Sequence, residues 1–482
     1  MRDGLELLVD LADADIEWLL RHGEEVQVIA NTTIVTEGEV PSHLVFVLQG
    51  LLGVRISSLA GQRLGTLGPG EILGEMSFLE GLPASATVSA VENSLLLRIP
   101  VAQLEDTLAG DRGFAARLYR ALAVTGSRRL REREAHWSGL FAGRESATGK
   151  CRDVWERLEP GISRLKSLLQ EADRAALQVG GDVPTEFIRA IGDGFPAFIR
   201  ELNDTIGDQS GLEASVRDEV GTRVQREVLP YLLLTRTAER LYAKPRGYAG
   251  DFLSIDWMYD DVAAGTGRLG RHLDRAFLDE PAAAAVRNRR ALLVREIQRH
   301  LDATPDRAVH LTVMACGPAR EIFDVYEQLG DPSHLHVNLI DIDQEALAQV
   351  NAETERRELG SQVHAHHGNL VYLALGRQQL ELPPQDLMYS IGLIDYFNDK
   401  LVGRLIDWAH GCLRPGGELI LGNFHPRNPD KALMDHVLDW RLIHRDEEEM
   451  HALFENSRFG SRCHAIHFED AGVNLFAVGQ KR

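Results

Sequence analysis

The sequence is short of cysteine, and what it has is scattered. The 482 residues include four cysteines, and none of them forms a C-x-x-C pair. Paired cysteines are the usual mark of a structural zinc site or a redox couple, so neither is indicated. Unpaired cysteines are typical of a reducing compartment, and we expect a cytoplasmic protein.

Basic residues are also in short supply. Lys and Arg number 52 against 72 Asp and Glu, which gives a formal net charge of -20. A charge of this sign repels the phosphate backbone of nucleic acids and anionic lipid headgroups. No local basic patch offsets it, so we expect no nucleic-acid partner.

Long apolar runs are missing as well. No stretch approaches the about 20 apolar residues that a membrane-spanning helix needs. The first residues, "MRDGLELLVDLADADIEWLL", carry acids where a secretory signal would carry positive charge. We therefore expect neither a signal peptide nor a membrane span.

The first half of the chain shows two different patterns. Short β-like runs broken by glycine fill residues 25–100 and predict a barrel or sandwich. Residues 150–303 read as helical throughout, and between 216 and 232 an apolar residue recurs at every fourth position. That spacing predicts a helix with one buried face.

After Asp306 the pattern changes to strands that alternate with helices. Such alternation predicts βαβ units and a parallel sheet. The last two strands are joined by a few residues around Gly472, too few for a helical crossover, so they should form an antiparallel hairpin. We therefore divide the chain into three domains, with the boundaries 1–140, 141–303 and 304–482.

The turn "ACGPAREI" follows the first strand of this predicted sheet. Free backbone N–H groups and a helix N-terminus point to this place, where ligands bind. A dinucleotide site would favour G-x-G-x-x-G, whereas here Gly317 is followed by Pro318 and Ala319, which suits a ligand without phosphates. Asp341 ends the second strand and is placed to accept hydrogen bonds from ribose hydroxyls.

These features resemble the S-adenosylmethionine site of class I methyltransferases, whose parallel sheet also ends in an antiparallel hairpin. The resemblance implies that Asn369 in "HHGNL" binds adenine and that "MYSIGLIDYF" lines the methyl-transfer side. It implies a cofactor-binding set made of Ala315, Gly317, Pro318, Glu321, Asp341, Asn369 and Ser390. The alternative is that Gly317 only turns the chain and Asp341 only caps a helix.

The stretch "YAKPRGYAGDF", together with "ACGPARE" and "YSIGLIDYF", resembles bacterial enzymes of 3-hydroxypalmitic acid methyl ester biosynthesis, from about residue 150 onward. The resemblance implies a small-molecule carboxylic acid as methyl acceptor. A carboxylate is ionised near neutral pH and needs no general base. Lys244 or Arg246 could bind it, Arg in bidentate fashion. The catalytic candidates are Arg246, Tyr248, Tyr396 and His425, and the substrate-binding candidates are Lys244, Arg246, Tyr248 and Asn423.

Several alternatives stay open. Arg246 could pair with Asp251 and brace its loop. His425 could cap a helix, or act as the general base if the acceptor were a hydroxyl or an amine. The helical region could be a lid over an acyl chain or a rigid spacer, and the α/β domain could sense a ligand without catalysis. His364 and His366 share a strand face without an acidic partner, so we predict no metal site.

The stretch "GPGEILGEMSFLEGLPASATVSA" resembles the phosphate-binding cassette of cyclic nucleotide-binding domains, which implies a β jelly-roll over about residues 10–135. Gly74 and Glu75 match the cassette, but Ala84 stands where the family has an arginine for the cyclic phosphate. Loss of that charge-assisted pair argues against cyclic nucleotide binding. We therefore interpret the domain as a regulatory or dimerising module, or as one that accepts a different ligand. Nothing after it reads as a DNA-binding helix-turn-helix, which argues against a DNA-binding regulator.

Helical periodicity resumes near Gly113, with Phe114, Leu118 and Leu122 at steps of four. The charged run "SRRLREREAHW" follows. This exit helix could pair with a second subunit, which would make the protein a homodimer.

Overall fold

The structure is a computed structural model that describes residues 11–56, 63–68, 71–124 and 149–482. The chain separates into two compact units. One comprises Met1–Arg144 together with Ala243–Ala249, and the other comprises Glu145–Tyr242 together with Gly250–Arg482.

The first unit is a β-sandwich of two four-stranded antiparallel sheets, in the orders β1-β8-β3-β6 and β2-β7-β4-β5. Its strands are β1 Glu24–Val28, β2 Thr33–Val35, β3 His43–Gln49, β4 Leu52–Arg55, β5 Arg63–Leu67, β6 Ile72–Leu73, β7 Thr87–Ala90 and β8 Ser94–Pro100. Aliphatic side chains of both sheets, among them Val45, Leu52 and Val88, form the core between them. The predicted barrel or sandwich is confirmed.

Three short helices accompany the sandwich: α1 Asp13–His22, α2 Glu75–Glu80 and α3 Val101–Gly110. Residues 112–124 are also helical, and Phe114, Leu118 and Leu122 are buried there as the spacing predicts. The charged run 127–137 lies outside the described residues, so the predicted dimer contact stays a prediction.

The second unit begins with a helical region, as predicted. Its helices are α4 Gly149–Gln178, α5 Thr185–Ile206, α6 Ala214–Leu232, α7 Arg236–Ala243, α8 Phe252–Asp260, α9 Gly270–Leu278 and α10 Pro281–Asp302. The apolar stripe of α6, from Val216 to Leu232, is buried along its whole length. Among the described residues, no helix is both long enough and apolar enough to cross a membrane.

A seven-stranded sheet completes this unit. Its strands are β9 Val309–Met314, β10 Leu335–Asp341, β11 Val363–His367, β12 Gln385–Ile391, β13 Leu413–Phe424, β14 Ala465–Phe468 and β15 Asn474–Gln480. Its helices are α11 Arg320–Gln328, α12 Gln344–Arg356, α13 Leu370–Ala374, α14 Asp399–Cys412 and α15 Glu447–Glu455, with a π-helical turn at Leu433–Val437.

The strand order is β11-β10-β9-β12-β13-β15-β14. The first five strands are parallel, and β15 pairs antiparallel with both β13 and β14. The predicted Rossmann-like sheet with a terminal hairpin is therefore confirmed. The order reverses between β9 and β12, so a crevice opens at their carboxyl ends, where ligands bind in such folds.

Candidate functional site

The turn after β9 is strained. Ala315, Gly317 and Ala319 all have left-handed backbone conformations, with φ of 57°, 51° and 48°. A left-handed conformation costs a residue with a side chain about 1–2 kcal/mol, and such strain gathers at functional sites. Pro318 and Ala319 are buried, while Ala315 and Gly317 are partly exposed at the edge of the sheet.

Asp341 holds this turn against the neighbouring strand. Its Oδ2 accepts a hydrogen bond from the Gly317 N–H at 2.8 Å, and its Oδ1 accepts one from the Asp343 N–H at 2.9 Å. Burial raises the pKa of the Asp341 carboxyl, although the backbone N–H groups favour its charged form. Each oxygen keeps further lone-pair capacity for a ligand.

Asp341 does not cap the helix that follows it. The N-cap of α12 is Asp343, whose side chain accepts hydrogen bonds from the backbone N–H groups of Glu345 and Ala346 at 2.9 and 3.3 Å. The alternative reading of Asp341 as a helix cap is therefore wrong. Its carboxylate joins the ends of β9 and β10 instead.

Two residues expected at the cofactor make buried contacts: Glu321 links α11 to β12, and Ser390 links β12 to β9. The Tyr389 hydroxyl donates to Glu321 Oε1 at 2.7 Å, and the Ser390 hydroxyl donates to the Met314 carbonyl at 2.9 Å. Both side chains are buried, and burial raises the pKa of Glu321. These contacts hold α11 and β9 to β12 at the crevice.

Asn369 is the N-cap of α13. Its side-chain oxygen accepts from the backbone N–H groups of Val371 and Tyr372 at 3.0 and 3.3 Å. The side-chain oxygen therefore already accepts two hydrogen bonds, and the NH₂ group of Asn369 is the part that could donate to an adenine ring.

Tyr396 follows β12 and lies against Trp440, whose indole N–H donates to the Tyr396 hydroxyl at 2.9 Å. Burial raises the pKa of the Tyr396 phenol. Gly250, with φ of 71°, packs on this pair: a Cβ there would come within 3.0 Å of Trp440 and 3.3 Å of the Tyr396 oxygen. Gly250, the second glycine of "RGYAGD", thus lets the backbone lie close to Trp440 and Tyr396.

Asn423 is placed at the end of β13 as expected, but its amide is fully engaged within the protein. It is 1% exposed. Its NH₂ donates to the carbonyls of Phe424 and Ile443 at 2.8 and 2.9 Å, and its oxygen accepts from Arg445 at 2.9 Å. The geometry corrects the expected substrate contact to a positioning role.

His425 is likewise engaged at both ring nitrogens. Nδ1 accepts from the Arg427 backbone N–H at 3.0 Å, so it carries no proton, and Nε2 lies 3.0 Å from Glu447 Oε2. A neutral ring therefore donates its Nε2 proton to Glu447 and has no lone pair left for a substrate. In this arrangement both ring nitrogens of His425 are engaged within the protein, and its catalytic role stays a prediction.

Lys244, Arg246 and Tyr248 are half-buried and belong to the segment Ala243–Ala249, which is part of the first compact unit. Asp251, the partner suggested for Arg246, forms a bidentate pair with Arg240 at 2.9 and 2.6 Å. It also caps α8 by accepting from the Ser254 N–H.

A small cavity, with space for little more than a water molecule, lies beside the end of β13. Its walls come from α8, α9, α10 and the segment after β13. The lining residues are Met258, Phe277, Glu280, Ala282, Ala283, Val286, Phe424, Asp430, Leu433, Met434 and Trp440. The sequence did not reveal this cavity, because its walls come from segments more than 100 residues apart.

Two carboxyl groups interrupt the apolar wall. Glu280 is 5% exposed and Asp430 2% exposed. Burial raises the pKa of Glu280 to about 9, with a contribution from Asp430, and raises that of Asp430 to about 6. Asp430 Oδ2 accepts from the Ala282 N–H at 2.6 Å, while Glu280 Oε1 and Asp430 Oδ1 have no hydrogen-bond partner. At neutral pH the pair therefore shares a proton.

The raised pKa of Glu280 predicts a pH-dependent loss of stability. Because the folded state keeps the proton that the unfolded chain releases near pH 4.5, stability should fall as the pH rises from there towards about 9. Glu280→Gln removes this titration. We expect the variant to be more stable than the wild type at pH 8.5, by about 1–3 kcal/mol, and to lose the advantage at pH 5. Denaturant unfolding at both pH values measures this, and an equal difference at both would contradict it.

The described part of the segment that resembles a phosphate-binding cassette lies in the first unit. Gly74, with φ of 86°, starts α2, and Glu75 follows as its first residue, 8% exposed. Ala84 exchanges backbone hydrogen bonds of 2.8 Å with Gly38 and Glu39 and packs on the core of the sandwich. No cation stands at position 84 itself.

We predict that cyclic AMP does not bind this domain in the micromolar range, because a charge-assisted pair to the phosphate is commonly worth a few kcal/mol. Ala84→Arg should gain measurable affinity, and Ala84→Gln serves as the uncharged control. Titration calorimetry decides this, and tight binding of cyclic AMP by the wild type would refute it.

The sheet order and the turn braced by Asp341 define the second unit as a Rossmann-like α/β domain behind a helical region. Residues 246–477 match the family model described as "Putative methyltransferase", and residues 25–111 match that of the cyclic nucleotide-binding domain. The first match lies almost entirely in the second unit and the second match in the first unit.

Individual proteins give more distant matches. The chain is 31% identical over 118 residues to the Pycsar effector protein XpPycTIR of Xanthomonas perforans, covering 24% of this chain and 37% of that protein. The N-terminal domain of a transcriptional regulator from Streptomyces coelicolor is 30% identical (TM-score 0.23; 26% and 89% covered). A possible exported protein from Bordetella parapertussis is 20% identical (TM-score 0.43; 61% and 96% covered).

Proposed function

We propose that this protein is an S-adenosylmethionine-dependent O-methyltransferase that forms the methyl ester of a fatty or 3-hydroxy fatty acid, with an N-terminal regulatory or dimerising domain. The observation that carries the cofactor assignment is the buried Asp341 carboxylate, which braces a strained turn at the reversal point of the sheet. The family match over residues 246–477 supports the reaction class.

The residues around the crevice suit this cofactor. Asp341 can accept hydrogen bonds from ribose hydroxyls, and the NH₂ group of Asn369 can donate to an adenine ring. The turn has a single glycine and lacks the second and third glycines that let a backbone approach a pyrophosphate. The cofactor supplies an electrophilic methyl group, and the protein must align an acceptor oxygen with it and exclude water.

Two observations favour a carboxylic acid with an apolar body as the acceptor. An ionised carboxylate needs no general base, and His425, the base first considered, has both ring nitrogens engaged. The wall beside the end of β13 is mainly apolar, the character that an acyl chain requires of its surroundings.

A hydroxyl or amine acceptor is the second candidate, and one observation favours it. The free oxygens of Glu280 and Asp430 face the same cavity wall. With a pKa of about 6, Asp430 would be ionised at neutral pH and could accept a proton.

The full-length protein incubated with S-adenosylmethionine and a long-chain 3-hydroxy fatty acid should yield a methyl ester that mass spectrometry detects. The corresponding 3-hydroxy alcohol, which lacks the carboxyl group, should not be methylated. Methylation of the alcohol or of an amine, without ester formation, would favour the second candidate. The absence of any methyl transfer with either would contradict the proposal.

Arg246 tests the proposed role of "AKPRGYAGD" in the same assay. A carboxylate entering an apolar site needs a counter-charge, so we expect Arg246→Ala to lower kcat/KM about tenfold or more. Arg246→Lys keeps the charge without the planar fork and should lose less. S-adenosylmethionine binding should be unchanged in both. If both variants turned over the acid as fast as the wild type, Arg246 would have no role in binding the carboxylate.

A further inference from the structure

Arg289 is a buried cation beside the sheet of the second unit. Arg289 lies on α10 and is 6% exposed. Within the described part of the chain it forms no ion pair, and its Nε has no hydrogen-bond partner. Its neighbours on α10 differ: Arg287 pairs with Asp261 and Arg290 with Asp324. The Tyr259 hydroxyl forms a hydrogen bond with the guanidinium but does not neutralise its charge. A buried charge without an ion pair is costly unless a ligand neutralises it.

We propose that Arg289 binds a carboxylate at the carboxyl edge of the sheet, between β9 and β12. This rests on the proposed function, in which two molecules bring a carboxylate to that edge. One is the acceptor acid and the other is the cofactor, through its amino-acid portion. The planar guanidinium suits either, because it can donate two parallel hydrogen bonds to one carboxylate.

The position of the guanidinium supports a ligand role. It packs over Gly392, the residue that follows β12: a Cβ at Gly392 would lie 3.1 Å from Arg289 Nη1. Gly392 has φ of 78° and is exposed, so this part of the edge is open. A side chain at position 392 would fill the space beside the guanidinium.

The acidic groups near Arg289 are committed to other donors. Glu321 accepts from the Tyr389 hydroxyl, and Asp395 accepts from the Phe424 backbone N–H at 2.7 Å. Burial raises the pKa of both carboxyls, that of Asp395 to about 6. They moderate the charge of Arg289 at a distance, and neither carboxylate forms an ion pair with it.

The cavity begins one helical turn from Arg289. Val286 and Ala283, which line the cavity, precede Arg289 by one and two turns of α10, and residues three apart share a helix face. One turn advances about 5 Å along the helix. An acid whose carboxylate meets Arg289 could therefore lay the first part of its apolar chain against Val286, towards this apolar wall.

Calorimetry on the full-length protein tests the proposal with two pairs of probes. Dodecanoate and dodecan-1-ol, each added with saturating S-adenosylhomocysteine, differ in the acceptor carboxylate. S-adenosylhomocysteine and 5′-methylthioadenosine differ in the amino-acid portion of the cofactor. The variants are Arg289→Gln and Arg289→Lys, and Arg295→Gln, exposed on the same helix, is the matched control.

We expect Arg289→Gln to lose about tenfold to a hundredfold in affinity for one carboxylate probe, with little change for its neutral counterpart. A loss of affinity for dodecanoate would show that Arg289 binds the carboxylate of the acceptor. A loss of affinity for S-adenosylhomocysteine would show that it binds the carboxylate of the cofactor. Arg289→Lys should lose less, and Arg295→Gln nothing. The melting temperature should not fall in Arg289→Gln, because the variant removes a buried charge without an ion pair.

Unchanged affinity for both carboxylate probes would overturn the proposal. So would equal losses for each carboxylate and its neutral counterpart, or a wild type that binds neither carboxylate, since Arg289 would then be structural. The proposed methyl transfer can fail separately. If dodecanoate bound in an Arg289-dependent way but no ester formed, the proposed reaction would be refuted and the carboxylate-binding role of Arg289 would stand.

Discussion

We expect Asp341→Ala to weaken S-adenosylmethionine binding tenfold or more. The variant removes the acceptor proposed for the ribose hydroxyls, and a hydrogen bond lost in a buried site costs about 1–3 kcal/mol. It also releases the Gly317 N–H, which Asp341 holds at 2.8 Å. The strained turn would then lose the contact that holds it against β10. Both effects lower affinity, and titration calorimetry measures their sum.

Asp343→Asn is the matched control, two residues away. Asp343 caps α12, and Asn caps helices about as well as Asp. We therefore expect near wild-type affinity and stability in this variant. Unchanged affinity in Asp341→Ala, with circular dichroism showing a folded protein, would contradict the assignment of the cofactor site.

The second large effect should come from Arg445, which is 2% exposed and holds the loop after β12. Its guanidinium donates to the carbonyls of Ile394 and Phe397 at 2.9 and 2.5 Å, and to Asn423 Oδ1 at 2.9 Å. Arg445→Met leaves these buried acceptors without donors. Each such acceptor costs about 1–3 kcal/mol, so we expect a loss of about 2–5 kcal/mol in the free energy of unfolding.

Arg441→Met is the control for Arg445→Met. Arg441 is 42% exposed and pairs with Asp218 on the surface, and such pairs contribute about 0–1 kcal/mol. Denaturant unfolding of the two variants should therefore differ clearly. A similar small loss in both would show that the loop after β12 does not depend on Arg445.

The α/β sheet was predictable from the sequence because its strands are buried on both faces. Such strands are rich in apolar residues, and Val309–Met314 and Leu335–Asp341 are mostly apolar and almost fully buried. The terminal hairpin followed from loop length alone. The buried stripe of Ala214–Leu232 followed from the helical repeat. In each case the deciding information lies within a few residues of chain.

The candidate site was predictable only in part, because some of its contacts join segments that are far apart in the sequence. Gly317 and Asp341 end adjacent strands, so strand order brings them together. Asn423 and His425 were correctly placed at the end of β13, but their roles depend on Ile443, Arg445 and Glu447, which a separate segment brings to them. Position along a strand did not reveal which hydrogen bonds were already made.

The sequence by itself determined the order of the domains, the type of each element and the turn that meets a ligand, because these depend on local periodicity and chain connectivity. The tertiary structure alone decided which polar groups are committed and which are available. It brought Glu280 within reach of Asp430 and left Arg289 buried without an ion pair at the edge of the sheet. Burial and hydrogen-bond partnership arise between distant segments, so only the folded chain shows them.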